Sequence, residues 1–122
     1  MHEFSMTMNL IRYLIELVRN KNARKISEVY IEIGKLTHLN PEQISFLYNT
    51  VSSNYPELSD SKLYISRKDA KIRCRECNYT GPLPSDDELP LLIFQCPKCG
   101  SGDIEVLEGN EFLVKRVKLV IS

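Results

Sequence analysis

Near the start of the chain the apolar residues Ile11, Leu14, Ile15 and Val18 recur at i, i+3, i+4 and i+7, with Arg12, Glu16 and Arg19 falling elsewhere. This spacing turns one stripe of a helix toward a core, so a first helix is predicted from Phe4 to about Arg19, ended by the polar run Asn20-Lys21-Asn22. The period then changes to two. In Glu28-Val29-Tyr30-Ile31-Glu32-Ile33, Val29, Ile31 and Ile33 share one face, the mark of a half-buried strand. Asn40-Pro41-Glu42-Gln43 has the grammar of a helix start: an Asn cap, Pro where its missing N–H costs nothing, and Gln at the third position. Ile44, Leu47, Tyr48, Val51 and Tyr55 carry that second helix along one apolar stripe, and Pro56 forbids its continuation. A second strand is predicted from Lys62 to Ile65, running on past Arg67 toward Ile72, and a last strand over 111–121.

The order helix, strand, helix, strand, cysteine-rich segment, strand predicts an α+β fold, two helices on a three-stranded mixed sheet with an inserted four-cysteine zinc ribbon. The unit from Val29 to Ile65 should be a right-handed crossover between parallel strands. The last strand is expected to return antiparallel beside the second, with the cysteine module projecting between them. Residues 1–70 and 106–122 would form one domain and 71–105 the insert. A three-stranded sheet leaves edges and an open face, so both a monomer and a homodimer by strand exchange stay open.

Composition narrows the class. The chain has 122 residues, 43% of them hydrophobic, which suffices for one core plus a module too small to fold on apolar burial alone. Sixteen basic and sixteen acidic residues cancel, removing any general attraction to nucleic acid or anionic membrane. No apolar run approaches the ~20 residues of a spanning helix. Glu3 stands where a secretion signal would carry a cation, and the expectation is a cytoplasmic protein.

In a reducing compartment, four cysteines in two pairs point to metal rather than disulfides. Cys74-Arg75-Glu76-Cys77 and Cys96-Pro97-Lys98-Cys99 are separated by 18 residues, inside the spacing of four-thiolate zinc sites. Four thiolates fill the tetrahedral shell and leave no position for a reacting water, so the site is structural. Iron in a rubredoxin-like cage and a redox dithiol are the alternatives. Apart from cysteine spacing the two knuckles have little in common. Between Lys71 and Glu105 acidic residues outnumber basic ones, which argues against a nucleic-acid ribbon. The apolar run Leu89 to Phe94 is expected to pack locally or meet a protein partner. No Ser/His/Asp, Cys/His or glycine-rich phosphate arrangement stands out, so no catalytic residue is assigned and an enzyme is not expected.

The start Met1-His2-Glu3 offers a second metal site. Excision of an initiator methionine requires a small second residue, so His2 should leave Met1 in place. The α-amine of Met1, the deprotonated amide of His2 and its imidazole Nδ1 can then close adjacent five- and six-membered chelate rings, with the Glu3 amide or a side chain completing the set. Such nitrogen-rich coordination suits Ni(II) and Cu(II), and affinity should fall as pH drops through about 6.5, where an ordinary imidazole protonates. His38 reads as a solvated loop residue, and Met6 and Met8 as core or helix-entry residues.

Taken together, Met1-His2-Glu3-Phe4-Ser5-Met6, the strand Val29-Tyr30-Ile31-Glu32-Ile33-Gly34-Lys35-Leu36 and the knuckle Cys96-Pro97-Lys98-Cys99-Gly100-Ser101-Gly102 resemble the HypA family over essentially the whole chain. The resemblance implies a nickel metallochaperone with an inserted zinc domain. It further implies delivery of Ni(II) to a [NiFe]-hydrogenase large-subunit precursor beside a HypB-like GTPase, with His2 as principal nickel ligand and Met1 and Glu3 contributing. Some members have Asp where this chain has Asn40, so an auxiliary carboxylate there is not implied, and the cap reading is sufficient.

Overall fold

The computed structural model describes residues 2–83 and 95–121. Two compact units emerge. The first comprises Met1–Glu32, Leu39–Ser66 and Leu113–Ser122, the second Ile33–His38 and Arg67–Phe112.

In the first unit, helix α1 (His2–Asn20) buries Thr7, Leu10, Ile11, Leu14 and Val18. Its C-terminus closes in a Schellman motif: Asn22 takes a left-handed φ of 51°, Asn22 donates to the Arg19 carbonyl and Ala23 to that of Val18. Helix α2 (Pro41–Ser52) starts as its sequence predicts, with Pro41 at its first position and the Asn40 side chain accepting from the N–H groups of Glu42 and Gln43. It buries Ile44, Tyr48 and Ser52. The Tyr48 hydroxyl meets the Ser61 hydroxyl at 2.6 Å, so this fully buried ring leaves no polar atom unpaired.

Strands β1 (Lys25–Gly34), β2 (Lys62–Lys68) and β6 (Phe112–Val120) form one sheet in the order β2-β1-β6. Contacts of β1 toward β2 keep a nearly constant offset in residue number: Lys25 with Asp60, Tyr30 with Tyr64, Ile31 with Ser66. Those strands run parallel. Contacts toward β6 keep a nearly constant sum, Arg24 with Val120 and Ser27 with Lys118, so that pair is antiparallel.

The last strand therefore lies beside β1, not beside β2 as expected. The reason is burial: Val29 is fully buried and Ile31 nearly so, which suits a central strand flanked on both sides. β2 and β6 carry lysines and exposed positions, the usual protection of sheet edges. The predicted run from Lys62 toward Ile72 also breaks in two, interrupted at Asp69 and Ala70, with its second half joining another sheet.

The second unit holds that sheet, β4-β3-β5, built from β3 (Lys71–Cys74), β4 (Thr80–Pro82) and β5 (Ile104–Glu108), all antiparallel. Its small core is Leu36, Ala70, Ile72 and Leu83, with Tyr79 and Ile104 against it. The unit is wider than the 71–105 stretch expected for the zinc module, because Leu36 and Ala70 supply half of those buried residues. Gly34 and Gly109 let two backbones touch: a Cβ on Gly34 would fall 2.0 Å from the Gly109 carbonyl oxygen. Gly109 itself has φ +107°, where side chains are rarely tolerated.

Candidate metal centre

Cys74 ends β3, Cys77 follows in the next turn, and Cys96 and Cys99 form the turn that leads toward β5. The two knuckles differ in sequence yet make the same backbone bonds. Cys74 N–H donates to the Tyr79 carbonyl and Asn78 N–H to that of Cys74; Cys96 N–H donates to the Ser101 carbonyl and Gly100 N–H to that of Cys96. Each turn closes with a left-handed residue directly after its second cysteine, Asn78 at φ 62° and Gly100 at φ 79°. Asn and Gly are the residues that accept this conformation most readily.

All four sulfurs lie within 4.8 Å of one another. Cys74 Sγ is 3.6 Å from Cys99 Sγ, and Cys77 Sγ is 3.6 Å from Cys96 Sγ. Ligands at about 2.3 Å from a tetrahedral ion would be about 3.8 Å apart, so the cluster has the size that zinc requires. The N–H groups of Cys77 and Lys98 approach the sulfurs of Cys74 and Cys96 at 3.5 and 3.4 Å, the outer hydrogen bonds that stabilise thiolates.

Proton affinities within the cluster are pulled apart. Burial raises the Cys96 thiol, but the N–H groups of Cys99 and Lys98 and the neighbouring thiols outweigh it and bring its pKa to about 7. At Cys99 the Ser101 N–H favours the thiolate, yet burial and the three neighbouring sulfurs push the pKa up to about 12. Four sulfurs at this spacing cannot all ionise without a cation among them. Around the cluster, Arg73 pairs with Glu105 at 2.5 Å and Arg75 with Asp103 at 2.9 Å. The ribbon's own acids thus answer two of its cations.

The second predicted site is not yet a cluster. His2 is exposed at the first position of α1, and Met1 lies outside the described residues, as does the Leu89 to Phe94 run. The Glu3 carboxylate accepts from its own backbone N–H and from that of Asn40, the latter at 3.1 Å, which holds its pKa below the usual carboxylate value. Thr7 donates to the Glu3 carbonyl at 2.7 Å. Glu3 is thus tied to the α2 cap residue, a link that sequence spacing could not reveal. His38 is exposed, with left-handed φ at the end of the 3₁₀ turn Lys35–Thr37.

The family described as hydrogenase/urease nickel incorporation, metallochaperone, HypA, matches residues 1–119. The chain belongs to the HypA family. Among relatives, the hydrogenase maturation factor HypA of Moorella thermoacetica is 38% identical over 114 residues, covering 93% of this chain and 95% of its own. That of Methanothermobacter thermautotrophicus is 34% identical, covering 98% and 97%. The solution structure of the nickel metallochaperone HypA from Helicobacter pylori shares this fold with a TM-score of 0.70 at 21% identity, covering 98% of each chain. A second HypA solution structure gives 0.72 at 22%, covering 100% and 98%. No helix among the described residues is long and apolar enough to cross a membrane.

Proposed function

We propose that this chain is a non-enzymatic cytoplasmic carrier that takes up Ni(II) at its N-terminus and hands it to a [NiFe]-hydrogenase large-subunit precursor, together with a HypB-like GTPase. The observation that carries the reading is the family match, which begins at residue 1 and so includes Met1, His2 and Glu3. Hydrogenase is preferred as recipient because the relatives are named hydrogenase maturation factors.

Nickel would be held by the Met1 amine, the His2 amide nitrogen and the His2 Nδ1, with Glu3 completing the set. Two features support this site. His2 is exposed, and the first N–H groups of a helix have no acceptor within it, so deprotonating the His2 amide breaks no helical bond. The bond from Asn40 N–H to the Glu3 carboxylate anchors Glu3 at the start of α1, next in the chain to His2.

Zinc would occupy Cys74, Cys77, Cys96 and Cys99, where it holds the two knuckles together and supports a small core. The filled shell leaves nickel chemistry to the other end of the chain. Nickel and zinc stoichiometry in wild type and His2→Ala tests the division. The expected result is loss of nickel with unchanged zinc; full nickel retention in His2→Ala would remove His2 from the site.

A further inference from the structure

The solvent face of the β2-β1-β6 sheet carries an organised row that the metal sites do not use. Tyr30, on the central strand, stacks on Tyr64 with ring centres 4.8 Å apart and planes 15° from parallel. The Arg116 guanidinium lies 4.4 Å from the centre of the same ring. Because β2 and β6 flank β1 on opposite sides, Tyr64 and Arg116 cover opposite faces of Tyr30. An open groove of about 520 Å³ runs here, lined by both tyrosines, Glu32, Ser66, Lys115 and Arg116 among others.

On this face Lys62, Lys115, Arg116 and Lys118 outnumber Glu28 and Glu32, although the chain as a whole is neutral. Lys118 approaches Glu28 at 3.7 Å and Lys115 approaches Glu32 at 3.6 Å, while Glu28 also accepts the Tyr30 hydroxyl at 2.5 Å. Both carboxylates are thereby engaged. Arg116 forms no ion pair among the described residues, although its charge reaches Glu28 and it donates to the Tyr30 hydroxyl, and Lys62 alternates onto the same face as Tyr64. The guanidinium has N–H donors beyond the one given to the Tyr30 hydroxyl, and a carboxylate matches that fork best.

We propose that this sheet face is a docking surface for an acidic segment of a partner protein, with Arg116 taking an Asp or Glu carboxylate and Tyr64, 43% exposed, packing on the neighbouring side chains. Single-stranded nucleic acid fits less well. Base stacking along a strand needs successive free ring faces, and with Tyr30 covered by Tyr64 and Arg116 this pair leaves just the outer face of Tyr64. The proposal does not depend on nickel binding.

The test is an NMR titration of the full-length zinc-loaded protein with a short synthetic peptide alternating glutamate and threonine, with oligouridylate as the competing probe. Amide shifts should concentrate at Tyr30, Tyr64, Lys115 and Arg116 and shrink with added salt. Arg116→Gln should weaken binding roughly tenfold, about 1.4 kcal/mol. Arg12→Gln, the same charge change on exposed α1, should leave it unaltered. The wild-type shift map decides the matter even if Arg116→Gln folds poorly. Absence of shifts up to millimolar peptide, equal weakening by Arg12→Gln, or tighter binding of oligouridylate to these residues would each overturn the proposal.

Discussion

Glu3, in the nickel site proposed above, is held in place by the chain's own backbone. Its carboxylate is stabilised as an anion by its own N–H and the Asn40 N–H, so its pKa is lowered. A depressed carboxylate contributes stability that is present above the ordinary value of 4.5 and is lost only as pH falls through the lowered one. Between pH 8 and 5, therefore, Glu3 stays ionised and its link to Asn40 persists. At the proposed site, nickel lost over that range would then be lost through protonation of the nitrogen donors. Carboxyl-carbon NMR of Glu3 should give a titration midpoint below 4.5. A midpoint above it would mean that the contact with Asn40 does not hold in solution.

Among the elements, the close approach at Gly34 carries the sharpest demand. Leu36 N–H donates to the Gly109 carbonyl at 2.8 Å, and Gly34 N–H to that of Glu111 at 2.8 Å, so the two segments are bonded where a methyl group would collide. Gly34→Ala should cost about 1–3 kcal/mol or more, read as a lower midpoint in denaturant unfolding. An unchanged midpoint would show that the segments can separate freely.

Much of this level was legible in the chain. The stripe through Leu14 and Val18 and the Asn40-Pro41 start fix α1 and α2 because helix signals are local. The neighbour of a strand is a non-local choice: alternation in β1 shows which side chains are buried but not which strand lies beside it, hence the misplaced last strand. Thr80–Pro82 is too short to show a period. The matching knuckle backbones were hidden because Asn78 and Gly100 share a conformation, not a side chain. The Tyr30, Tyr64 and Arg116 row exists only through register.

Taken whole, the molecule assigns its two kinds of chemistry to different needs. Among the described residues the second unit's apolar cluster is small, Leu36, Ala70, Ile72 and Leu83, and the cysteine cluster would add a cross-link once a metal is bound. Chelation of zinc should therefore abolish amide-exchange protection in β3, β4 and β5, while the helical circular dichroism of α1 and α2 largely remains. Collapse of both signals together would show that the first unit also depends on the metal. Nickel binding makes the opposite demand, since its proposed donors sit at the first residues of α1 and need a free α-amine.

The decisive measurement is nickel affinity of untagged protein, verified by intact mass to begin at Met1, against the same protein with one glycine placed before Met1. The added residue leaves every side chain in place and removes only the terminal amine from the chelate. Nickel affinity is predicted to fall at least about tenfold, with zinc content and folding unchanged. Equal affinity in the two proteins would contradict the N-terminal site.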